Sequence, residues 1–82
     1  MAHVVAACSD CRQFTGGVHE FDVDADTVGR LIAELDRRYP GLGEHIERRV
    51  AVAIDGEIHQ DAHSERLEAD SEVYLIPRIG GG

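Results

Sequence analysis

The chain has 82 residues, of which 16 are acidic and 8 are basic, so its formal net charge is −8 at pH 7. This length allows one small hydrophobic core, and so acidic a surface argues against nucleic acid as a partner, because phosphate neutralisation supplies most non-specific affinity. No apolar run reaches the roughly 18 residues of a membrane span, and no secretory signal begins at Met1, so a soluble, cytoplasmic protein is expected. The acidic charge favours partners with a basic groove.

The first part of the chain predicts two strands joined by a loop. Residues 3–7 form a short apolar run of strand type. Residues 8–17 are polar and rich in turn formers, which predicts a loop with room for one helical turn around residues 10–14. Residues 18–24 alternate between apolar and acidic side chains, as a half-buried strand does. The two strands are close enough in sequence to pair as a hairpin.

One amphipathic helix is predicted next. Asp24 and Asp26 are placed to cap its N-terminus, and Pro40-Gly41 is placed to end it. Gly29 lies inside the helix and should weaken it by about 1 kcal/mol relative to alanine. The apolar side chains recur at the spacing of a single helix face: Val28, Leu31, Ile32, Leu35 and Tyr39.

The second half of the chain predicts three further strands. Residues 50–54 are a dense, largely β-branched run, Asp55-Gly56 is a tight hairpin signal, and residues 57–59 form a short return strand. Residues 73–76 form a last strand that leads directly into the C-terminal glycines. Together these elements indicate an α+β domain, with a mixed sheet of about four to five strands packed on one main helix.

Two segments between these elements are less regular. Residues 41–49 could form one and a half amphipathic turns, since Leu42 and Ile46 fall on one face. Residues 60–70 are a polar loop in which Leu67 is the expected anchor to the core.

The chain ends in three glycines, and they are the most informative feature of the sequence. Residues 80–82 have no side chain to place in a core, and glycine loses the most conformational entropy on ordering, so a flexible tail is predicted. A terminal carboxylate with no Cβ beside it can enter a narrow channel in another enzyme and be activated there. The alternative is a glycine-rich end with no role.

The chain resembles the MoaD/ThiS family of ubiquitin-like sulfur carrier proteins, which have the β-grasp fold. The resemblance rests on Val-Ala-Val-Ala-Ile-Asp-Gly-Glu at 50–57, on Glu-Val-Tyr-Leu-Ile-Pro at 72–77, and on the terminal Gly81-Gly82. It covers nearly the whole chain and implies a β-grasp domain over residues 1–79. The sequence departs from the family pattern at Gly80, in the approach to the last strand, and at residues 8–11, which have no counterpart in that pattern.

The resemblance implies that Gly82 is the reactive residue. A ubiquitin-activating-enzyme-like adenylyltransferase would use ATP and magnesium to convert its carboxylate into an acyl adenylate, and a persulfide donor would then replace AMP to leave a thiocarboxylate. The sulfur would pass to an acceptor enzyme, such as a molybdopterin-synthase large subunit or its counterpart in cysteine biosynthesis. The chain itself would bind no cofactor and act as a cosubstrate rather than an enzyme, although a molybdopterin-type carrier also counts as the small subunit of its synthase.

Family analogy also implies a partner-binding surface, made of the tail and the exposed face of the sheet beside the last strand. Gly80 and Gly81 would lie inside the partner's channel, Ile79 would be an apolar anchor, and Arg78 could pair with an acidic group at the channel mouth. Phe14 could be an exposed apolar contact. The alternatives are a solvated arginine and a phenylalanine that caps the core.

The Cys8-x-x-Cys11 pair raises the question of a metal or redox site. A structural zinc site needs four ligands and this pair supplies two, while His3 and His19 do not lie at ligand spacing, so no metal site is predicted. In the cytoplasm both thiols should be reduced, with one packed and one partly exposed. A redox dithiol would normally open a helix within a βαβ unit, which the sequence pattern lacks.

A second class of function stays open at this point. A ubiquitin-like domain could be a protein modifier joined through Gly82 to a lysine, or a non-catalytic module that binds only through its sheet. The chain contains no lysine, so it cannot form lysine-linked chains of itself, which argues against polymer-type modification but not against single conjugation.

Overall fold

A mixed sheet and a layer of helices make up the computed structural model, which describes residues 1–59 and 63–78. Within these residues the elements, in chain order, are β1 (Ala2–Ala6), α1 (Ser9–Thr15), β2 (Glu20–Val23), α2 (Val28–Arg38), α3 (Leu42–Arg49), β3 (Val50–Ile54), β4 (Glu57–His59) and β5 (Glu72–Pro77). All five predicted strands are present: β3 and β4 have the predicted ends, and the ends of the other three are shifted by one or two residues. None of the helices in this part of the chain is long and apolar enough to cross a membrane.

The sheet has the strand order β2-β1-β5-β3-β4. The central strands β1 and β5 are parallel, with Val4 opposite Val73, whereas the pairs β1·β2, β3·β5 and β3·β4 are antiparallel. The first strand and the last strand of the chain therefore lie side by side in the middle of the sheet. This arrangement is the β-grasp, ubiquitin-like fold, and it confirms the predicted fold class.

The hydrophobic core lies between one face of the sheet and the helices. Alternate residues of the central strands point into it, including Val4, Val73 and Leu75, each of which has no exposed surface. From the other side Leu31 and Leu35 of α2 are equally buried, as the helical period predicts. Leu67 is also buried and its N–H donates a hydrogen bond to the carbonyl of Asp26, which confirms it as the anchor of the 63–70 segment.

The start of α2 is capped by Thr27 and not by Asp24 or Asp26, so that prediction is wrong. The Thr27 hydroxyl oxygen accepts a hydrogen bond from the N–H of Arg30 at 3.2 Å. Two further N–H groups of the first turn, those of Val28 and Gly29, donate to backbone carbonyls of the segment that begins at residue 63. Because these groups are already satisfied, the carboxylate of Asp26 instead lies 3.5 Å from the Arg30 guanidinium on the surface.

The predicted loop at residues 8–17 is largely a helix, α1, that spans two turns. It ends at Gly16, whose φ of 67° is the left-handed conformation that glycine adopts most easily. The Thr15 hydroxyl donates to the carbonyl of Val18 at 2.6 Å and closes the connection to β2. Cys11 and Thr15 are buried, so packing against the core, and not local helix propensity, accounts for this element.

Residues 42–49 form a complete helix, α3, where the sequence indicated only one and a half turns. Asp36, near the end of α2, holds its start: one carboxylate oxygen accepts hydrogen bonds from the N–H groups of Gly41 and Gly43, each at 3.0 Å. The Asp55-Gly56 turn joins β3 to β4 as predicted, with positive φ at both residues, the geometry that suits the twist of a tight hairpin.

Candidate functional site

The parallel pairing of β1 and β5 determines where the C-terminal tail leaves the domain. Ala6 lies opposite Leu75, and the N–H of Ala7 donates to the carbonyl of Leu75 at 2.9 Å. Because parallel strands end at the same edge of a sheet, Cys8 follows β1 at the level where β5 ends at Pro77. The segment that opens α1 and the approach to the tail are thus neighbours at one edge of the domain.

Arg78 is held by the end of α3. Its N–H donates to the carbonyl of Arg49 at 3.2 Å, and its guanidinium donates to the carbonyl of Glu47 at 3.1 Å. These contacts guide the chain as it leaves β5, so Arg78 has a positioning role inside the domain that the sequence did not indicate. Its predicted pairing with an acidic group of a partner stays a prediction. The other predicted tail residues lie outside the described residues: Ile79, Gly80, Gly81 and Gly82.

Phe14 is partly packed and partly exposed, so it matches neither alternative, an exposed apolar contact or a cap of the core, by itself. It is 39% exposed, and its ring centroid lies 5.2 Å from that of His45 in α3. A Cβ on Gly41 would come within 3.1 Å of the Phe14 ring, so the ring also covers the backbone between α2 and α3. One side of Phe14 therefore holds α1 against α3, and the other side is open to a partner.

The outer face of the sheet carries an apolar strip across four strands. Val5, Tyr74, Ala53 and Ile58 lie in consecutive register positions across β1, β5, β3 and β4, and residues in register share a face of the sheet. Tyr74 and Ile58 are 43% and 60% exposed. The predicted partner surface beside the last strand is thus an apolar strip, which from here on we call the outer strip. Aromatic side chains in such strips are common contact residues in protein interfaces.

Residues 9–82 of the chain match the model of the ThiS family. The chain belongs to the ThiS family. The match extends through the C-terminal glycines, and it confirms the resemblance to MoaD/ThiS-type ubiquitin-like sulfur carriers. No curated protein matches the chain.

Solved structures of ThiS-type proteins share the fold. CysO of Mycobacterium tuberculosis has a TM-score of 0.83 at 20% identity, with 96% of this chain and 100% of that chain covered. CysO in the Amycolatopsis orientalis BexX/CysO complex has a TM-score of 0.83 at 18% identity, with both chains fully covered. SAMP1 of Haloferax volcanii has a TM-score of 0.69 at 26% identity, with 99% and 98% covered. The β-grasp fold therefore spans the entire length of these relatives.

One feature of this ThiS-family chain is a cluster of two thiols and an imidazole. Cys8 and Cys11 are both buried, so the prediction that one of them would be partly exposed is wrong. A ring nitrogen of His45 and the two sulfur atoms all lie within 4.8 Å of one another. Burial, followed by the hydrogen bond and charge interaction with Cys8, raises the pKa of the Cys11 thiol from 9.0 to about 12. Cys11 is therefore a protonated, weakly nucleophilic thiol at neutral pH.

Sequence spacing does not indicate His45, because it lies far from the cysteines along the chain, whereas His3 and His19 lie nearer. The packing of α1 on α3 brings His45 to the thiols, and no local signal indicates that contact. Cys8 does open a helix, as a redox dithiol would. However, α1 joins the antiparallel strands β1 and β2 and so does not lie in a βαβ unit.

Proposed function

We propose that this protein is a sulfur carrier whose Gly82 carboxylate is adenylated, converted to a thiocarboxylate, and then used by an acceptor enzyme as a sulfur source. The observation that carries this proposal is the ThiS-family match through residue 82, on a fold in which the central strand β5 runs directly towards the tail. The rigid domain provides recognition, and the glycines provide a chain thin enough to reach a buried active site.

The chemistry follows from the weak electrophilicity of a carboxylate. Attack of a Gly82 oxygen on the α-phosphorus of ATP expels pyrophosphate and turns that oxygen into part of a good leaving group, AMP. A persulfide sulfur then displaces AMP, and a thiol cleaves the resulting acyl disulfide to leave the thiocarboxylate. Apart from the Gly82 carboxylate, the groups needed for these steps would come from the partner enzymes, so on this proposal the chain is a cosubstrate, and ATP and magnesium bind to the activating enzyme.

Two partners follow from this chemistry: an adenylyltransferase related to ubiquitin-activating enzymes, and a sulfur-acceptor enzyme. The outer strip and the exposed side of Phe14 are the surfaces we assign to docking, with the tail inserted into the partner. The net charge of −8 favours a basic surface around the partner's channel. The acceptor would be an enzyme of the molybdopterin-synthase or cysteine-biosynthesis type.

The intact mass of the untagged protein tests the proposal. After incubation with the adenylyltransferase of its own organism, ATP, magnesium and a sulfur donor, the mass should show one oxygen replaced by sulfur, and fragmentation should place the sulfur on Gly82. Deletion of Gly81-Gly82 should abolish this change and leave the thermal midpoint unaltered, because glycines supply no core side chain. As a matched control, Gly82→Ala keeps a terminal carboxylate and should load more slowly. Sulfur loading of the truncated protein would refute the proposal.

A second candidate function is protein modification, which the similarity to SAMP1 favours. The solution structure of small archaeal modifier protein 1 from Methanosarcina acetivorans has a TM-score of 0.77 at 18% identity. On this alternative the activated Gly82 forms an amide with a lysine of another protein. The same reaction run in a cell extract separates the two, since a modifier yields branched peptides ending in Gly82 on lysine, and a carrier yields only the free thiocarboxylate.

A further inference from the structure

Two elements, α1 and α3, meet at the cysteine–histidine cluster. Cys8 precedes the first residue of α1, Cys11 lies within that helix, and His45 lies on α3. Both cysteines are almost completely buried, at 3% and 0% exposure. The cluster lies where α1 packs against α3, at the end of the sheet where β1 and β5 both finish.

His45, whose ring lies beside the two thiols, also carries an unsatisfied ring nitrogen. Its Nε2 atom is buried and has no hydrogen-bond partner among the described residues. A buried polar atom without a partner is destabilising and rare in native proteins, so an atom of this kind calls for an explanation. The two sulfurs are weak hydrogen-bonding groups, and they cannot offer imidazole the strong partner that it lacks.

We propose that Cys8, Cys11 and His45 bind one zinc ion. Two thiolates and one neutral imidazole are ligands that zinc prefers, and they are unlike the oxygen ligands that calcium and magnesium require. This zinc site would belong to the folded domain and would not depend on the chemistry of Gly82.

The distances suit a tetrahedral ion. In such a site two sulfurs lie about 3.8 Å apart and a sulfur and a nitrogen about 3.5 Å apart, given metal–ligand bonds of about 2.3 Å and 2.0 Å. The three ligand atoms are already within 4.8 Å of one another, so each pair needs to approach by no more than about 1.3 Å to complete the geometry. Cys8 and Cys11 are three residues apart, about one helical turn, and this turn brings their sulfur atoms together.

The charge also balances. Binding of the ion displaces one proton from each thiol to solvent, including that of the protonated Cys11. The two thiolates then carry a charge of −2, so a divalent cation makes the buried site neutral, and burial of a neutral cluster avoids the large cost of an unpaired buried charge. His45 borders a surface groove of about 340 Å³ that Phe14 and Arg49 also line. Water can supply the fourth ligand, and His45, which borders the groove and lies beside the thiols, is the side of the site nearest to solvent.

The main competitor is a disulfide between Cys8 and Cys11. A disulfide would use both sulfurs, but it would leave the His45 nitrogen buried without a partner. Zinc accounts for all three side chains, and the observations therefore favour the ion.

Reconstitution of the full chain under reducing conditions tests the proposal. Cobalt(II), used as a spectroscopic substitute for zinc, should bind with one ion per chain and give intense thiolate-to-cobalt absorption in the near ultraviolet together with visible bands of a tetrahedral complex. Zinc should displace it and raise the thermal midpoint of the protein. Absence of stoichiometric cobalt and zinc binding by the reduced chain would overturn the proposal.

Two variants and two controls assign the ligands. His45→Gln should weaken zinc binding at least about tenfold, whereas His59→Gln, on β4, should leave it unchanged. The double variant Cys8→Ser, Cys11→Ser should lose the near-ultraviolet band.

His45 is the least buried of the three ligands, so its variant remains informative if the cysteine variant fails to fold. Unchanged binding in His45→Gln would refute the three-ligand site, and unchanged binding after deletion of Gly81-Gly82 is expected because the three proposed ligands are all retained.

Discussion

Gly29 lies in the first turn of α2, where its missing side chain makes room for another segment of the chain. Its N–H donates to the carbonyl of His63 at 2.9 Å. A Cβ at this position would lie 2.7 Å from the Nδ1 atom of His63 and 3.0 Å from its carbonyl oxygen. The sequence marks this glycine as a weak point of the helix, but in the fold it permits the contact that satisfies the helix N-terminus.

Gly29→Ala should therefore destabilise the protein by about 1–2 kcal/mol, although alanine is the better helix former, because the added methyl group forces the 63–66 segment away. Urea denaturation measures the change in the free energy of unfolding. The double variant Gly29→Ala, His63→Ala removes the ring clash and should recover part of the loss, with the carbonyl contact left. A stability gain of about 1 kcal/mol from Gly29→Ala alone would show that helix propensity dominates and would contradict this reasoning.

At the scale of the elements, each helix of the described chain depends on contacts from outside itself. α2 receives its cap from Thr27 and from the 63–66 segment, α3 receives its cap from Asp36 of α2, and α1 is held by its buried Cys11 and Thr15. Short helices are marginal in isolation, so these contacts explain why the polar stretch at residues 8–17 is helical.

The cap of α2 gives a comparison between neighbouring residues. Thr27→Ala should lower the free energy of unfolding by about 1 kcal/mol, because the N–H of Arg30 loses its acceptor. Thr27→Ser keeps the hydroxyl and should cost much less. Asp26→Ala removes only an exposed ion pair and should cost less than about 0.5 kcal/mol. Chemical denaturation of the three variants under one condition makes the comparison, and a larger loss for Asp26→Ala than for Thr27→Ala would restore the aspartate as the cap.

At the scale of the whole molecule, the sheet has two faces with different tasks. Leu75 points into the core from the central strand β5, and the adjacent Tyr74 points outwards into the outer strip. The same strand therefore contributes to stability on one face, presents on the other the exposed surface that we propose for docking, and continues along the chain into the tail.

Two substitutions in β5 should separate these tasks. Leu75→Ala should cost about 2–5 kcal/mol through the cavity that it leaves, and a marginal domain of this size could unfold. Tyr74→Ala should change stability much less and should slow sulfur loading by the adenylyltransferase. Denaturation and the mass-based loading assay measure the two effects. Normal loading of a folded Tyr74→Ala variant would remove Tyr74 from the docking surface.

Local patterns in the sequence determined the strands, the main helix and the Asp55-Gly56 hairpin, because periodic burial and turn chemistry act over a few residues. The terminal glycines and the residues around them also indicated the family, and the family match bears this out. Only the tertiary structure decided the contacts between distant segments: the caps of α2 and α3, the helix α1, the anchoring of Arg78, and the meeting of His45 with Cys8 and Cys11. Such contacts depend on how helices pack against one another, and no periodicity within either partner encodes them.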